Sequence, residues 1–314
     1  MELARREADV VMVCRSAKRA EEAAVAIEKE VGRKPRVELC DLSSKKSIRE
    51  FSAKWSETGV PVDAIVNNAG LMLKEYTATD EGLETVFATM AGGSYFMTLL
   101  MLPHLLKGDP SRVISVTSAG GYMVQAQVPL LNMPPESYSD LFAYSHSKRV
   151  QIEITDKWSS IFDEEVASSQ KSDTMPAGLK PVSFMTMHPG WAATPGLSAS
   201  MPSFSESADL RSQAEGADSI LWLLDIPDRR VSKFDGELVF DREATFKHFS
   251  LAGTSISDGQ RDKLWQQLDN IFEVDSMRLI KSALLFSREE SMHVDPKTTD
   301  LEGQVEQARG GGSN

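Results

Sequence analysis

The chain has 314 residues, 41% of them hydrophobic, and a formal net charge of -12. That length and composition fit one large α/β domain or two small ones, with ample apolar material for a core. The acidic balance argues against a general binder of nucleic acid or of an anionic membrane surface, since both targets are polyanions.

Taken in order, residues 1–8 read as the last turns of a helix with no cap and no lead-in. Val10-Val11-Met12-Val13-Cys14 is a continuous apolar run of the kind found in strands buried on both faces, and Arg15 follows it. A helix is expected over 17–31, with Gly32 as its C-cap. A strand is expected over 37–40, closed by Asp41-Leu42, and a helix over 45–58, capped by Ser43 or Ser44. Residues 62–66 read as a third strand that runs into Asn67-Asn68-Ala69-Gly70, and 80–106 as one long helix. A fourth strand, 113–118, ends at Thr117-Ser118. Pro129, Pro134 and Pro135 keep 120–138 irregular. A helix over 141–162 carries Tyr144 and Lys148. Residues 163–178 read as a polar surface insertion. A fifth strand, 182–187, enters His188-Pro189-Gly190. Further helices are expected over 213–224 and 259–272, with a last strand over 237–240. A domain boundary falls at 272, and 273–314 reads as a mostly disordered tail. Cys14 and Cys40 are expected to be reduced thiols, because no secretory signal opens the chain. The longest apolar stretch, 95–106, is too short to span a membrane. A cytoplasmic location is the default expectation.

Apolar strands alternating with helices predict a doubly wound parallel sheet, in which ligands bind at the carboxyl ends of the strands. Arg15, Asp41, Asn67, Ser118 and Pro189-Gly190 all fall just past strand ends. They are therefore expected to gather along one edge. Tyr144 and Lys148, four apart, share a helix face. An ammonium beside a phenol favours the phenolate and lowers the tyrosine pKa, which suits proton transfer near neutral pH. A hydroxyl such as that of Ser118 can hold a carbonyl or alcohol oxygen against that phenol. This is the chemistry of an oxidoreductase in which a tyrosine moves the proton. Simpler readings exist for each residue: a chance Tyr/Lys spacing, a strand-to-loop turn at 67–70, a capping role for Asp41, and structural roles for His146 and His188. No Cys, His and carboxylate cluster has metal-ligand spacing, so no metal is expected. Ser118 lacks the glycine-flanked elbow of a serine hydrolase.

The ordered set Asp41, Asn67-Asn68-Ala69-Gly70, Ser118, Tyr144-x-x-x-Lys148 and Pro189-Gly190-x-x-x-Thr194 resembles the short-chain dehydrogenase/reductase family, over about residues 1–272. Segments 10–15 and 188–196 look most like the dehydrogenase/reductase member 12 group. The resemblance implies Tyr144 as general acid in carbonyl reduction, with Lys148 as the residue that tunes it and holds the nicotinamide ribose. It implies that Ser118 orients the substrate oxygen. It places Arg15, Asp41, Leu42, Asn67, Ala69, Gly70, Pro189, Gly190 and Thr194, with Tyr144 and Lys148, around a nicotinamide cofactor. Arg15 stands where an acidic residue would suit NAD; an arginine suits the 2′-phosphate of NADP. Residues 191–204 would form a lid over an apolar small-molecule substrate. Copies in this family often dimerise through the two long helices, here 80–106 and 141–162.

Two departures stand out. The family's first strand and glycine-rich turn, which cradle the cofactor pyrophosphate, have no counterpart in residues 1–314. The fold expected is therefore an α/β doubly wound, Rossmann-like sheet lacking its first strand. About five buried apolar residues, at roughly 1.5–3 kcal/mol each, would be on the order of 10 kcal/mol, comparable with a typical domain's whole stability of about 5–15 kcal/mol. The expectation is a chain shorter than its complete gene product. The second departure is Met90, which stands where the family carries an asparagine that supports a water chain to the lysine; a thioether cannot donate. Adjacent Gly92 and Gly93 should also weaken that helix. These departures favour, as the alternative to an NADP-dependent oxidoreductase, a non-catalytic member that binds a ligand or partner without turnover.

Overall fold

The computed structural model describes residues 1–108, 110–169, 181–249 and 251–292. The elements in chain order are α1 (Glu2–Arg5), β1 (Val11–Cys14), α2 (Ala17–Val31), β2 (Arg36–Leu39), α3 (Lys45–Thr58), β3 (Ala64–Asn67) and α4 (Thr85–Phe87). A π-helical turn, Ala88–Gly92, leads into α5 (Gly93–Leu105), then β4 (Ser111–Val116) and α6 (Asp140–Ser169). The rest are β5 (Val182–Met187), α7 (Pro195–Ser200), α8 (Pro202–Ser207), α9 (Gln213–Asp225), α10 (Asp228–Val231), β6 (Leu238–Phe240), β7 (Glu243–Thr245), α11 (Asp258–Phe272) and α12 (Ser276–Met292).

The strands form two sheets. β1 pairs in parallel with β2, while β3, β4, β5 and β6 run parallel in that order and β7 closes the edge antiparallel. The expected doubly wound order would place one strand between β1 and β3, and no ladder joins those two. The consequence shows in their burial. Every residue of β4 and β5 is buried, whereas no residue of β1 is, and only Asn67 is in β3. Val13 in β1 is 38% exposed although it sits in an apolar run. α1 is a single turn and covers little of this sheet.

Two cores flank the five-stranded sheet. On one face Val113, Val182 and Phe184 pack with α3, α5, α6, α11 and α12. On the other, Ile114, Val116, Met185 and Met187 pack with Leu223 of α9 and with Ile226 and Val231. Alternate residues of one strand supply the two cores because successive side chains point to opposite faces.

Several expectations are corrected. The long helix starts at Thr85, not 80, because Glu84 turns its carboxylate back to accept from the amides of Val86 and Phe87 at 2.7 and 2.8 Å. The stretch Thr85–Leu105 is long and apolar enough to cross a membrane by length and composition, and 89% of that window is buried inside the fold as its central helix. The Gly92-Gly93 pair is required by close packing. A Cβ on Gly93 would lie 2.5 Å from the Leu42 carbonyl oxygen and 2.7 Å from that of Ala88. One on Gly92 would meet the Phe272 ring at 2.8 Å. The domain does not end at 272. Trp265 donates to Ser276 Oγ at 2.7 Å, and Ile280, Ala283 and Leu284 of α12 join the main core. α12 also packs on α5, and α11 on α6. Residues 163–169 of the insertion expected over 163–178 belong to α6 instead; residues 170–180 and the tail from 293 lie outside the described residues.

Gly93→Ala is expected to cost about 2–3 kcal/mol in urea denaturation, because backbone oxygens cannot move aside for a methyl group. Gly259→Ala, in α11 with nothing within 4 Å of its added Cβ, should be neutral or stabilising by up to about 1 kcal/mol. Equal effects at the two positions would contradict the close-packing account.

Candidate active site

Parallel pairing brings the strand ends together. Asn67 lies beside Ser115 in register and Val116 beside Met187, so the residues after β3, β4 and β5 emerge at one edge. Ser118 follows β4, and its Oγ accepts from Gly120 N at 3.2 Å. Helix α6 then crosses this edge. Thr117 Oγ1 donates to the Lys148 backbone oxygen at 2.8 Å, which fastens the helix to the strand end.

Tyr144 and Lys148 lie on the face of α6 that looks at this edge, as their spacing predicts. The Tyr144 phenol lies near enough to Ser118 for that hydroxyl to lower its pKa, and the Lys148 Nζ lies 5.7 Å from the centre of the tyrosine ring. Lys148 is buried, and its Nζ donates to the Val116 carbonyl oxygen at 2.6 Å and to Gln151 Oε1 at 3.2 Å. A Cβ added to Gly70 would lie 3.7 Å from that same Nζ, so the turn after β3 passes directly over the lysine. Behind Tyr144 stands an apolar buttress of Val86, Met90, Met133 and Ala143. Met90 thus packs toward the tyrosine from the π-helical turn, a feature often found at functional sites.

The electrostatics differ from the sequence expectation. Burial pushes the Tyr144 phenol up, and the nearby Ser118 hydroxyl pulls it partly back. The lowering expected from Lys148 is absent, because the ammonium is turned onto Val116 and Gln151. Burial instead depresses Lys148 itself to about 7. The tyrosine therefore holds its proton at neutral pH, and the lysine is the group poised to titrate there.

The remaining sequence candidates divide. Asn67 is buried and donates to Thr98 Oγ1 at 3.2 Å and Ser115 Oγ at 3.4 Å. Ala69 and Gly70 are exposed at the same edge. Asp41 Oδ1 accepts from Ser43 N and Oγ at 2.9 and 2.7 Å, so its side chain is engaged in the local turn that leads to the Ser44 cap. Leu42 presses its carbonyl against Gly93. Arg15 is exposed, with no hydrogen bond or ion pair to another described residue. Gly190 adopts φ +72°, a conformation that suits glycine, and Arg211 fills the space where a side chain would go. Thr194 caps α7 by accepting from Leu197 N at 3.1 Å. His146 Nε2 accepts from Gln127 N at 2.9 Å, and His188 stacks on Phe240; burial lowers both to about 4, so both are neutral at pH 7. Gln151 was not among the sequence candidates. Its signal was the three-residue spacing from Lys148, which on a helix brings two side chains into contact.

A family model described as short chain dehydrogenase matches residues 1–130. The chain is similar to dehydrogenase/reductase SDR family member 12 of Bos taurus, 35% identical over 278 residues, covering 86% of this chain and 80% of the relative. This chain belongs to the short-chain dehydrogenase/reductase family. Another member, retinol dehydrogenase 13 of Homo sapiens, is 35% identical over 149 residues, covering 47% of this chain and 45% of that one. Among solved structures, a short-chain dehydrogenase by description from Escherichia coli CFT073, complexed with NADPH, shares the fold with a TM-score of 0.52 at 16% identity, over 73% of this chain and 84% of that one.

The family implies a nicotinamide cofactor, and the reacting end of this site fits one. Lys148 supplies donors beneath Gly70, and Gly70 leaves space that a side chain would take. The guanidinium of Arg15, just past β1, is exposed. For the pyrophosphate, the sequence holds neither a Gly-x-x-x-Gly-x-Gly nor a Gly-x-Gly-x-x-Gly segment.

The Lys148 value has a stability signature. Above about pH 7 the folded chain has released a proton that the unfolded chain, at the ordinary 10.5, still holds. Stability therefore rises with pH in that window, by up to about 1.4 kcal/mol per unit. In urea denaturation the difference between wild type and Lys148→Met should rise from about pH 7.5 to 9.5. A flat difference would show that the folded lysine keeps an ordinary pKa.

Proposed function

We propose that this chain is an NADP-dependent oxidoreductase that reduces a carbonyl of an apolar small molecule to the alcohol, or runs the reverse reaction. The observation that carries this reading is the convergence of Ser118, Tyr144 and Lys148 at one strand edge, with the Ser118 hydroxyl near enough to the phenol to lower its pKa. When bound, the nicotinamide supplies a hydride to the carbonyl carbon. Ser118 and Tyr144 hold the carbonyl oxygen between two hydroxyls, and the Tyr144 Oη gives its proton to that oxygen as it becomes the alcohol. Burial keeps the phenol protonated, which suits the reductive direction near neutral pH. A protonated Lys148 offsets the charge left on the phenolate.

Arg15 supports NADP over NAD, since an exposed guanidinium offers a paired donor fork to a 2′-phosphate. The substrate's apolar character is inferred from residues 191–207, where Trp191, ahead of α7, packs on Phe204 of α8 with ring centres 4.5 Å apart. The relative whose name specifies retinol points to the same class. The split between β1 and β3 favours a second reading, a member that binds without turnover.

Full-length chain should consume NADPH with a panel of apolar aldehydes and ketones. Tyr144→Phe should cut that rate by about 10²–10⁴-fold while leaving NADPH binding intact. NADPH binding with no turnover across the panel would favour the second reading.

Arg15→Glu should weaken NADPH about 10- to 100-fold, as loss of charge-assisted hydrogen bonds implies, and leave NADH little changed. Titration by fluorescence would show it. An unchanged preference would remove Arg15 from cofactor selection.

A further inference from the structure

Lys148 and Gln151 stand one turn apart on α6, and both are buried. Gln151 accepts from the Lys148 ammonium through Oε1 at 3.2 Å. That contact fixes which way the amide faces, because its NH2 end turned toward an ammonium would place donor against donor. The Nε2 atom consequently points away from the lysine, and it is buried with no hydrogen-bond partner in the protein. Buried amide nitrogens without partners are uncommon, and a bound water is a usual explanation.

A space for one lies alongside. Gln151 lines an internal cavity of ≈ 10 Å³, about what a single water needs. The polar side chains around it are Asn67, Ser94, Thr98, Ser115 and Thr155. A water there would find the two to four polar partners that such sites require. Met90, which stands where the family carries an amide, packs with the apolar group behind Tyr144 and offers no donor.

We propose that this cavity holds one ordered water, which accepts from Gln151 Nε2, and that Gln151 with this water is the positioning element for Lys148. The role rests on the reductase reading for its functional weight, whereas the juxtaposition of lysine, amide and cavity does not. Gln151 sets the direction in which the ammonium is held, and the water holds Gln151. The titratable groups that face Lys148 are Tyr144, on its own helix, and His188, after β5. Both are neutral near pH 7. The end of β4 faces the lysine with the Val116 carbonyl, and the turn after β3 with Gly70, neither of which titrates. Gln151 is thus the side chain whose replacement should move the lysine's titration most directly.

The test needs neither cofactor nor substrate. Full-length chain labelled with 13C at lysine Cε is titrated by NMR, with Lys148→Met assigning the buried signal. Gln151→Met keeps the side-chain length and removes the acceptor, and it should lower the Lys148 midpoint by about one pH unit. Gln151→Glu restores an acceptor and adds a negative charge, so it should raise the midpoint above that of wild type. If Gln151→Met does not fold, the Gln151→Glu shift still decides the point. A high-resolution crystal structure of the wild type should show one water within hydrogen-bond reach of Nε2. A dry cavity, or a Lys148 midpoint that neither variant moves, would overturn the proposal. Because the readouts are a midpoint and a density peak, a chain without turnover would leave this result standing while refuting the reductase reading.

Discussion

The burial of one ammonium, that of Lys148, is the constraint on which the rest of the site depends. A lysine wholly removed from water must either find partners or lose its charge. Here it finds two, the Val116 carbonyl and Gln151, and its pKa still falls to about 7. Helix α6 can place it there only because Thr117 bonds the backbone at the same residue, so strand end and helix are fastened at the lysine. Tyr144, one turn earlier, is then held over Ser118. The arrangement of Ser118, Tyr144 and Lys148 follows from where a costly group can be tolerated.

The same packing reaches outward from α5. Gly93 lets the central helix touch the Leu42 backbone, which carries the two-stranded sheet against the main body despite the missing ladder between β1 and β3. Aromatic contacts then bind the C-terminal helices to this core: Tyr95 meets Trp265 edge-on with centres 5.1 Å apart, and Phe96 stacks on Phe272 at 4.9 Å. The sheet is most secure at β4 and β5, beneath Ser118, and least so at β1, beside Arg15. The proposed proton chemistry and the proposed cofactor selection thus rest on parts of the fold with different support.

Much of this was legible in the sequence. The apolar runs marked β1, β3, β4 and β5, because strands buried on both faces need no alternation. Ser44 marked a helix start, and its side chain does cap α3; the Ser16 cap of α2 was not anticipated. The hairpin β6–β7 was not legible. Its two-residue turn, Asp241-Arg242, takes positive φ at both positions, where Asn-Gly or Asp-Gly is the usual signal. Ion pairs hold it instead, Asp241 with Arg211 and Arg242 with Asp218. The start of α4 was hidden for a similar reason, since its cap is a glutamate rather than a serine or threonine. Most instructive is the tyrosine. Sequence spacing correctly put Tyr144 and Lys148 on one face, but spacing carries no information about burial, which raises the phenol and lowers the lysine.

The central claim is that Ser118, Tyr144 and Lys148 together carry out hydride-coupled proton transfer to a carbonyl. The most direct measurement follows the hydride itself: full-length chain, NADPH carrying deuterium at the transferring position, and apolar carbonyls, with the alcohol product read by mass spectrometry. The account predicts an alcohol one mass unit heavier with wild type and about 10²–10⁴-fold slower formation of it with Tyr144→Phe. Labelled alcohol formed at an undiminished rate without the phenol would contradict it.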